Sequence, residues 1–447
     1  MASKAHTALA AFRAELAGEV FAPGDPGYDD ARAVPNARTD RRPAVIARCA
    51  HVTDVVRAVR FARELDLHIA VRGGGLGLAG TEVDGALEVD LRRMCEVTVD
   101  PAAEAARVGG GATVGHLDRA TLPYGLAATV GRAPGVGVAG CVLGGGTGPL
   151  DRAVGAAADH LIGVELVTAD AERVHANADE NPELFRALHG GGGNFGIASA
   201  LTLTLHELPQ LAAVTVLYRP ESGPAAVRAF REVVGAGPDE AGGAALYLSG
   251  GPAPRCAALV TYAGGEEELR ALAGPLTALP HEAEVRGARA PGLLYPPGGM
   301  RAHWSARCLT GLPDAAVDAV CALAADLPAP GSRLLLLPLG GAVAGAAGAA
   351  GAAGHPLPYQ RAAWIVHPFA CWADPADDER ALARVRDACA GVRPWSTDAV
   401  PLTLIGDEGP ERVRAGLGEG NLLRLEKLKR RYDPDNVFRF NHNIRPL

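Results

Sequence analysis

Three glycine-rich segments have the composition best suited to chemistry in this 447-residue sequence: RGGGLGLAG (72–80), AGCVLGGGTG (139–148) and GGGGNFG (190–196). Glycine lets backbone N–H groups approach an anion closely and tolerates positive φ, which is the geometry of a diphosphate-binding loop. A tight turn between strands would explain any one segment. Three of them within about 125 residues instead favour a shared, phosphate-containing ligand.

The two common nucleotide-binding motifs do not account for these segments. Gly75, Gly77 and Gly80 match G-x-G-x-x-G, but TEVDGALEVD (81–90) follows with a turn-and-strand pattern. A Rossmann site needs a helix there, so that the diphosphate lies at the helix N-terminus. A P-loop is excluded because none of the segments is followed by Gly-Lys-Ser/Thr.

The elements that must position these loops are predicted to form an α+β fold. Thr53 and Asp54 are expected to cap a helix that carries Val55, Val59 and Ala62 at helical spacing. Alternating or continuous apolar runs predict the strands around it. The predicted N-terminal strands are residues 41–50, 67–71, 85–91, 105–112, 161–170 and 198–208.

The chain after Pro209 has a different texture. Four apolar strands, LAAVTVLYRP, GGAALYLSGG, AALVTYAGG and RLLLLPLGGAV, alternate with Ala-rich helical stretches. This pattern predicts an antiparallel sheet covered by helices on one face. The Gly/Ala tract at 340–355 is predicted to be a loop, and the basic segment 422–432 a final helix ended by Asp433-Pro434. The predicted domains are 1–205, 206–399 and 400–447.

Composition narrows the function classes. The 43 basic and 51 acidic residues are interspersed and give a net charge of −8, which disfavours a nucleic-acid or anionic-membrane surface. The eight cysteines contain no C-x-x-C, so we expect reduced thiols and no metal site. The N-terminal segment has no continuous apolar core, so we expect no signal or membrane helix. These features predict a cytoplasmic protein. We also expect a monomer or homodimer that acts on a small molecule.

The order of motifs along the chain resembles a known family. RRPAVIARC, VRGGG, RVGGGATVGHLDRA, GVAGCVLGGGTG, GVELVTAD, GGGGNFGI and YDPDNVFRFNHNI are together similar to the berberine-bridge-enzyme-like oxidases, within the vanillyl-alcohol-oxidase type of FAD-binding proteins. The resemblance spans essentially the whole chain. It implies FAD as cofactor and a PCMH-type FAD-binding domain, split between the first 205 residues and the C-terminal tail, around a substrate domain.

The resemblance also assigns cofactor-binding positions. Arg72, Gly73, Gly74 and Gly75, followed by Leu76 and Gly77, would wrap the diphosphate. Ala139, Gly140, Gly144, Gly145 and Gly146 would close around the ribityl chain and diphosphate. Gly193, Asn194, Phe195, Gly196 and Ile197 would lie on the adenine and flavin side, and Asn441 and Asn443 would return to the flavin.

The sequence departs from the family at the covalent flavin links. Members usually carry a histidine after the R-x-G-G turn and often a cysteine ten residues before L-G-G-G, but this chain has Leu76 and Ala133 there. Cys141 is eight residues downstream of the second position and does not replace it. We therefore expect FAD to be bound noncovalently.

A second departure concerns the catalytic base. The family's Y-x-N segment is Pro401-Leu402-Thr403 here, and the aromatic after G-G-G-x-G is Pro149. Tyr247, His303 and His367 are the candidate replacements. We expect an FAD-dependent oxidoreductase that acts on a bulky secondary metabolite. The alternative is a non-redox cyclase or isomerase, or a binding protein, that keeps the cavity but uses FAD structurally or has lost it.

Overall fold

The computed structural model describes residues 2–208, 210–250, 254–287, 299–325, 327, 330–348 and 357–447. The α-helices in these ranges are α1 (Ala2–Glu15), α2 (Tyr28–Arg32), α3 (Val52–Glu64), α4 (Val114–Thr121), α5 (Val138–Leu143), α6 (Asp151–Val154), α7 (Pro182–Gly191), α8 (Gly223–Gly235), α9 (Glu266–Thr277), α10 (Asp314–Ala324), α11 (Ala342–Gly348), α12 (Asp378–Gly391), α13 (Pro410–Leu417) and α14 (Glu419–Tyr432).

The strands fall into two groups along the chain. Those before residue 209 are β1 (Glu19–Phe21), β2 (Val45–Arg48), β3 (Ile69–Arg72), β4 (Leu87–Asp90), β5 (Val97–Asp100), β6 (Ala105–Gly109), β7 (Leu126–Ala127), β8 (Leu161–Val167), β9 (Arg173–Ala176), β10 (Ile197–Thr204) and β11 (His206–Glu207). Those after it are β12 (Ala212–Tyr218), β13 (Ala241–Leu248), β14 (Arg255–Tyr262), β15 (Ala283–Arg286), β16 (Arg301–Trp304), β17 (Arg307–Leu309), β18 (Arg333–Pro338) and β19 (Trp364–Trp372).

The first sheet has the order β1-β2-β4-β3, with parallel pairing of β2 and β3 to β4. Helix α3 covers it through a buried apolar face, and Phe61 of α3 stacks on Phe12 of α1 with ring centroids 4.2 Å apart. The expected cap by Thr53 and Asp54 is wrong, because α3 begins at Val52. The buried Asp54 carboxylate instead accepts the backbone N–H groups of Ala17, Gly18 and Ala50, which joins α1 to this layer.

The second sheet, β5-β6-β10-β8-β9, is antiparallel throughout. Its inner strand β10 was expected from clean alternation, and a strand is present from Ile197 to Thr204. The two edge strands, β5 and β9, are short and half exposed, and the sequence pattern predicted neither of them.

The third sheet follows β15-β12-β14-β13-β18-β19-β16, with β17 also paired to β19, and all of these pairs are antiparallel. Because strand side chains alternate between faces, Val214 and Val216 pack beneath α8–α10, whereas Leu335 and Leu337 face the N-terminal layers. The α+β prediction is confirmed, including an antiparallel sheet with helices on one face.

The C-terminal part contains one correction. The tract at 340–355 was expected to be a loop, but its first half forms α11 because alanine favours helix strongly enough to outweigh the interspersed glycine. Residues 349–355 of the tract lie outside the described residues. The predicted final helix is α14, and the segment after it runs back to the glycine-rich loops.

Candidate active site

A cavity of about 420 Å³, the central cavity, lies between the glycine-rich loops, the inner face of the third sheet and the C-terminal tail. Most of the predicted cofactor residues line it, namely Arg72, Gly73, Gly74, Gly75, Leu76, Gly77, Ala139, Gly140, Gly144, Gly193, Asn194, Gly196 and Asn441. Five do not line it: Gly145, Gly146, Phe195, Ile197 and Asn443.

The first glycine-rich loop packs against a second backbone segment. A β-carbon on Gly74 would lie 2.5 Å from the backbone nitrogen of Gly137, which is closer than any real contact, so the two loops require glycine. Positive φ occurs at Gly75 (69°). The side chain of Arg72 is turned into the fold: it donates to the carbonyls of Ala31 and Ala33 and pairs with Glu88 at 2.6 Å. The loop therefore offers the cavity its backbone.

The second loop begins with the short helix α5. A β-carbon at Gly140 would meet nothing within 4 Å, so this backbone is open to the cavity. The neighbouring Gly145 and Gly146 face inward instead, where β-carbons would collide with Leu357 and with Cys141 Sγ. Gly145 also has positive φ (67°), and neither glycine lines the central cavity, which contradicts the expectation that both would touch the ligand.

The third loop is tied to the tail by Asn194. Its side-chain amide donates to Gly191 O and His442 O, and its Oδ1 accepts the N–H of Ile444. Gly193 beside it is open, since a β-carbon placed there would meet nothing within 4 Å. Phe195 and Ile197 are fully buried in the two N-terminal cores, so their position contradicts the expected flavin contact.

The tail is held by a buried ion pair. Lys429 Nζ lies 2.6 Å from Asp433 and also donates to the carbonyls of Asn194 and Phe438, with both charged side chains fully buried. This arrangement places Asn441 at the cavity wall, where its Oδ1 has no hydrogen-bond partner among the described residues. In the same part of the chain, Asn443 Oδ1 is also buried and unpartnered, but it lies away from the cavity lining.

Tyr247 was expected to face the cavity, and the structure contradicts this. Its side chain lies in the core between the third sheet and the helices, and its hydroxyl donates to Cys321 Sγ at 2.9 Å. Burial raises the pKa of this hydroxyl far above its usual range. Alternation on β13 indicated that Tyr247 is buried but could not tell which face of the sheet lines the cavity.

The two candidate histidines lie on opposite faces of the third sheet. In register, His303 pairs with Ala370, which packs towards α12, and His303 is absent from the cavity lining. This register does not support the expected pocket role, although a β-carbon at Gly406 would lie 3.8 Å from His303 Cε1. His367 does line the cavity, beside Trp304, whose ring stacks on Phe369 at 5.1 Å.

His367 is held as a neutral imidazole. Its Nδ1 lies 2.8 Å from the carbonyl oxygen of Ser305. A carbonyl only accepts, so Nδ1 carries the proton and Nε2 has a free lone pair. Within the described ranges, Nδ1 makes this hydrogen bond and Nε2 makes none. Burial, assisted by the positive charge of Arg132, lowers the pKa of His367 to about 4.

Sequence reasoning missed the polar residues at the back of the cavity. Arg132 and Thr147 line it, and Arg132 pairs with the fully buried Asp151 at 3.1 Å. Thr403, noted only as a replacement for a family residue, also lines the cavity, and its hydroxyl is buried without a partner among the described residues, as is that of Thr147. Arg132 stands directly before Ala133, and that adjacency was the available signal.

No nucleophile is presented at the expected link positions. Leu76 lines the cavity, and Ala133 is buried outside the lining. Cys141 also lines the cavity, but burial raises the pKa of its thiol to about 12. Since the thiolate is the nucleophilic form, Cys141 is inert near neutral pH.

Two family models match the parts of the chain that build this cavity. The FAD binding domain model matches residues 43–177, and the berberine and berberine-like model matches residues 410–445. These matches confirm the resemblance to berberine-bridge-enzyme-like FAD-linked oxidoreductases over the two parts of the chain that build the cavity. FAD is accordingly the cofactor for which the cavity is built.

Individual relatives agree with this assignment. An (R)-6-hydroxynicotine oxidase of Paenarthrobacter nicotinovorans is 40% identical over 211 residues, which cover 47% of this chain and 45% of that oxidase. An uncharacterized FAD-linked oxidoreductase of Bacillus subtilis is 29% identical over 97% of this chain and 99% of its own length. The matched part of the nicotine oxidase is thus less than half of its length.

Solved structures share the whole fold. The crystal structure of 6-hydroxy-D-nicotine oxidase from Arthrobacter nicotinovorans aligns with a TM-score of 0.84 at 26% identity, over 97% of this chain and 99% of that one. The BBE-like 1 protein of Physcomitrella patens aligns with a TM-score of 0.86 at 23% identity, over 98% and 99%. The second likeness is one of fold alone.

The residues present fit FAD. Open backbone at Gly140 and Gly193 suits the close approach of a diphosphate, and Asn441, Thr147 and Thr403 hold polar atoms that lack a partner among the described residues. A buried polar atom without a partner is costly, and a cofactor rich in hydrogen-bonding groups satisfies it. In the described part of the chain, no cluster of three or more His, Cys, Asp or Glu is arranged to hold a metal ion. Nor does a helix there have the length and apolar character to cross a bilayer.

Proposed function

We propose that this protein is an FAD-dependent oxidoreductase that binds FAD without a covalent bond and oxidises a bulky small molecule, a secondary-metabolite intermediate, with His367 as the base. The observation that carries the proposal is the neutral imidazole of His367, a residue that lines the same cavity as the glycine-rich loops.

The substrate side of the cavity supports binding of an extended apolar molecule. Trp304, Leu335 and Leu337 form its wall on the third sheet, and Leu402 and Ile405 approach from the tail side. Such side chains orient a ring system by contact and exclude water from it. FAD, when bound, would accept a hydride from the substrate.

The part of His367 is to accept the substrate proton at Nε2. Its Nδ1–H bond to Ser305 O fixes the ring orientation and the tautomer, so Nε2 is ready to accept without rotation. Because the pKa is lowered to about 4, the base is unprotonated at neutral pH, and activity falls as the pH decreases through about 4.

The test uses FAD-loaded protein under anaerobic conditions and a panel of hydroxylated aromatic and alicyclic metabolites. Loss of oxidised-flavin absorbance identifies a substrate. With it, His367→Gln is expected to slow flavin reduction about 10²–10⁴-fold at unchanged FAD stoichiometry. His303→Gln, on the opposite face of the same sheet, is the matched control and is expected to leave the rate unchanged.

Two outcomes would refute the proposal. Equal rates in wild type and His367→Gln would remove His367 as the base. Conversion of a metabolite with no change in the flavin spectrum would indicate the non-redox alternative instead.

A further inference from the structure

Arg132 is an incompletely paired cation in the cavity wall. Its Nη2 lies 3.1 Å from Asp151 Oδ2, whereas its Nε is buried with no partner among the described residues. No hydrogen bond involves Nη1 in that part of the chain either. A guanidinium has five N–H donors, so most of those on Arg132 remain available.

Asp151 cannot satisfy the remaining donors. Its Oδ1 already accepts from Thr129 Oγ1 at 3.0 Å and from the N–H of Gly148 at 2.6 Å. Asp151 is also fully buried and stands behind the wall, outside the cavity lining. It anchors one edge of the guanidinium and leaves the other edge without a partner.

The rest of the cavity gives Arg132 no counter-charge. Among the described residues, the acidic side chain that lines the cavity is Glu88, which pairs with Arg72 at 2.6 Å. Around the substrate side the wall is apolar, formed by Trp304 and Leu335 among others. An unpaired guanidinium donor beside apolar surface is costly unless a ligand satisfies it.

Arg132 is also electrostatically coupled to the base. Its positive charge lowers the pKa of His367, so the two groups act on the same region of the cavity. A cation next to a neutral proton acceptor stabilises an oxygen that carries, or acquires, negative charge.

We propose that Arg132, anchored by Asp151, forms a subsite for an acidic oxygen of the substrate, which makes the substrate class a planar or ring-containing carboxylate, phenol or enol rather than an amine. This subsite rests on the proposed function, because only an oxidoreductase that oxidises the bound molecule makes that molecule a substrate. Charge-assisted contacts from arginine to a carboxylate are among the strongest hydrogen bonds in proteins.

The experiment measures binding to the FAD-loaded protein by titration calorimetry at pH 7.5, with benzoate, benzamide and benzylamine as probes of one shape and three charges. Wild type is expected to bind benzoate at least about tenfold more tightly than benzamide, and benzylamine weakest. In Arg132→Gln the preference for benzoate over benzamide is expected to fall to about one. Arg119→Gln, on the exposed surface of α4, controls for net charge and is expected to keep the preference.

Asp151→Asn distinguishes a binding role from a purely structural one. Removing the buried counter-charge leaves the positive charge of Arg132 uncompensated, so benzoate is expected to bind more tightly. Thermal melting shows whether the variant keeps its fold. Arg132→Lys keeps the positive charge but loses the planar, two-pronged guanidinium, so it is expected to retain part of the preference for benzoate over benzamide. This variant replaces Asp151→Asn in the test if Asp151→Asn does not fold.

Equal affinity for benzoate and benzamide in wild type would overturn the proposal, as would an unchanged preference in Arg132→Gln or weaker benzoate binding in folded Asp151→Asn. These outcomes are separate from failure of the proposed function, because the probes report binding without turnover. If a substrate reduces the flavin but benzoate does not bind, only the proposed subsite is refuted. If benzoate binds but no molecule reduces the flavin, only the proposed oxidoreductase function is refuted.

Discussion

At the scale of single residues, the residues at the expected link positions lead us to predict a dissociable FAD. Leu76 provides no ring nitrogen, Ala133 provides no thiol, and the thiol of Cys141 has its pKa raised to about 12 by burial. Covalent attachment needs an attacking imidazole or thiolate. The expected link positions offer neither, so we expect a dissociable cofactor.

Acid precipitation of the FAD-loaded protein is expected to release all flavin into the supernatant. A matched variant, Leu76→His, places an imidazole on the same loop and tests whether the loop geometry can support attachment after incubation with FAD. A yellow pellet from the wild-type protein would contradict the prediction.

At the scale of elements, glycine is needed in the glycine-rich loops for two different reasons. Gly74 allows its loop to touch the loop at Gly137, whereas Gly140 leaves open space for the ligand. Neither position has positive φ; in the first loop that conformation belongs to Gly75 and Gly80. Glycine is therefore required at position 74 by the close approach of two backbones and not by its φ.

Paired substitutions at these two glycines should have different effects. Gly74→Val is expected to lower the melting temperature even without FAD, since its β-carbon would collide with the Gly137 backbone. Gly140→Val is expected to leave the melting temperature without FAD nearly unchanged and to reduce the FAD-induced increase, which follows ligand affinity. Thermal melting with and without FAD measures both. An intact FAD shift in Gly140→Val would show that α5 does not face the cofactor.

The connection between α14 and the tail gives a second prediction at this scale. Lys429→Met removes the cation from a fully buried pair and leaves Asp433 uncompensated, which costs about 3 kcal/mol or more of unfolding free energy. The tail loses its link to the Asn194 carbonyl as well, so FAD is expected to dissociate faster. Denaturant unfolding and FAD release measure the two effects.

Lys427→Met is the control for the loss of charge on the same helix, because Lys427 is exposed. Equal unfolding midpoints for Lys429→Met and Lys427→Met would show that the buried pair does not stabilise the tail.

At the scale of the whole molecule, buried ionisable groups control stability in acid. His367 has a folded-state pKa of about 4, below the value of 6.5 in a free side chain, so the unfolded chain binds more protons between these values. The contribution of His367 to the free energy of unfolding is fully present above pH 6.5, and it is lost as the pH falls from 6.5 to about 4. Asp151 acts in the opposite direction, because burial raises its pKa from 3.8 to about 6 and the folded state then binds more protons.

Replacing each group separately should reveal these signs. When the pH is lowered from about 6.5 to about 4, the unfolding free energy of His367→Gln is expected to fall by about 3 kcal/mol less than that of wild type. The unfolding free energy of Asp151→Asn is expected to fall by more than that of wild type. Denaturant unfolding at several pH values measures the slopes. Parallel slopes for wild type and both variants would show that neither group is protonated differently on unfolding.

Much of this architecture followed from the sequence alone. Apolar periodicity located α3, α14 and the inner strands, because burial of one face imposes a period of 3.6 or 2 on the residues themselves. The glycine-rich motifs and the tail sequence indicated the resemblance and the FAD cofactor, because backbone that approaches a diphosphate tolerates few residue types. The positions of Leu76 and Ala133 in those motifs likewise led to the prediction of noncovalent FAD.

The tertiary structure alone decided which side chains meet. Alternation along β13, β16 and β19 gives two faces for each strand, but only packing against the other layers determines which face lines the cavity. His367 lines it, whereas Tyr247 packs beneath the helices and His303 lies on the face opposite His367. The pairing of Arg132 with Asp151, nineteen residues along the chain, depends on a turn that no local pattern specifies. Local periodicity follows from neighbours in the chain, whereas a site is assembled by contacts between distant segments, and those form only when the layers pack.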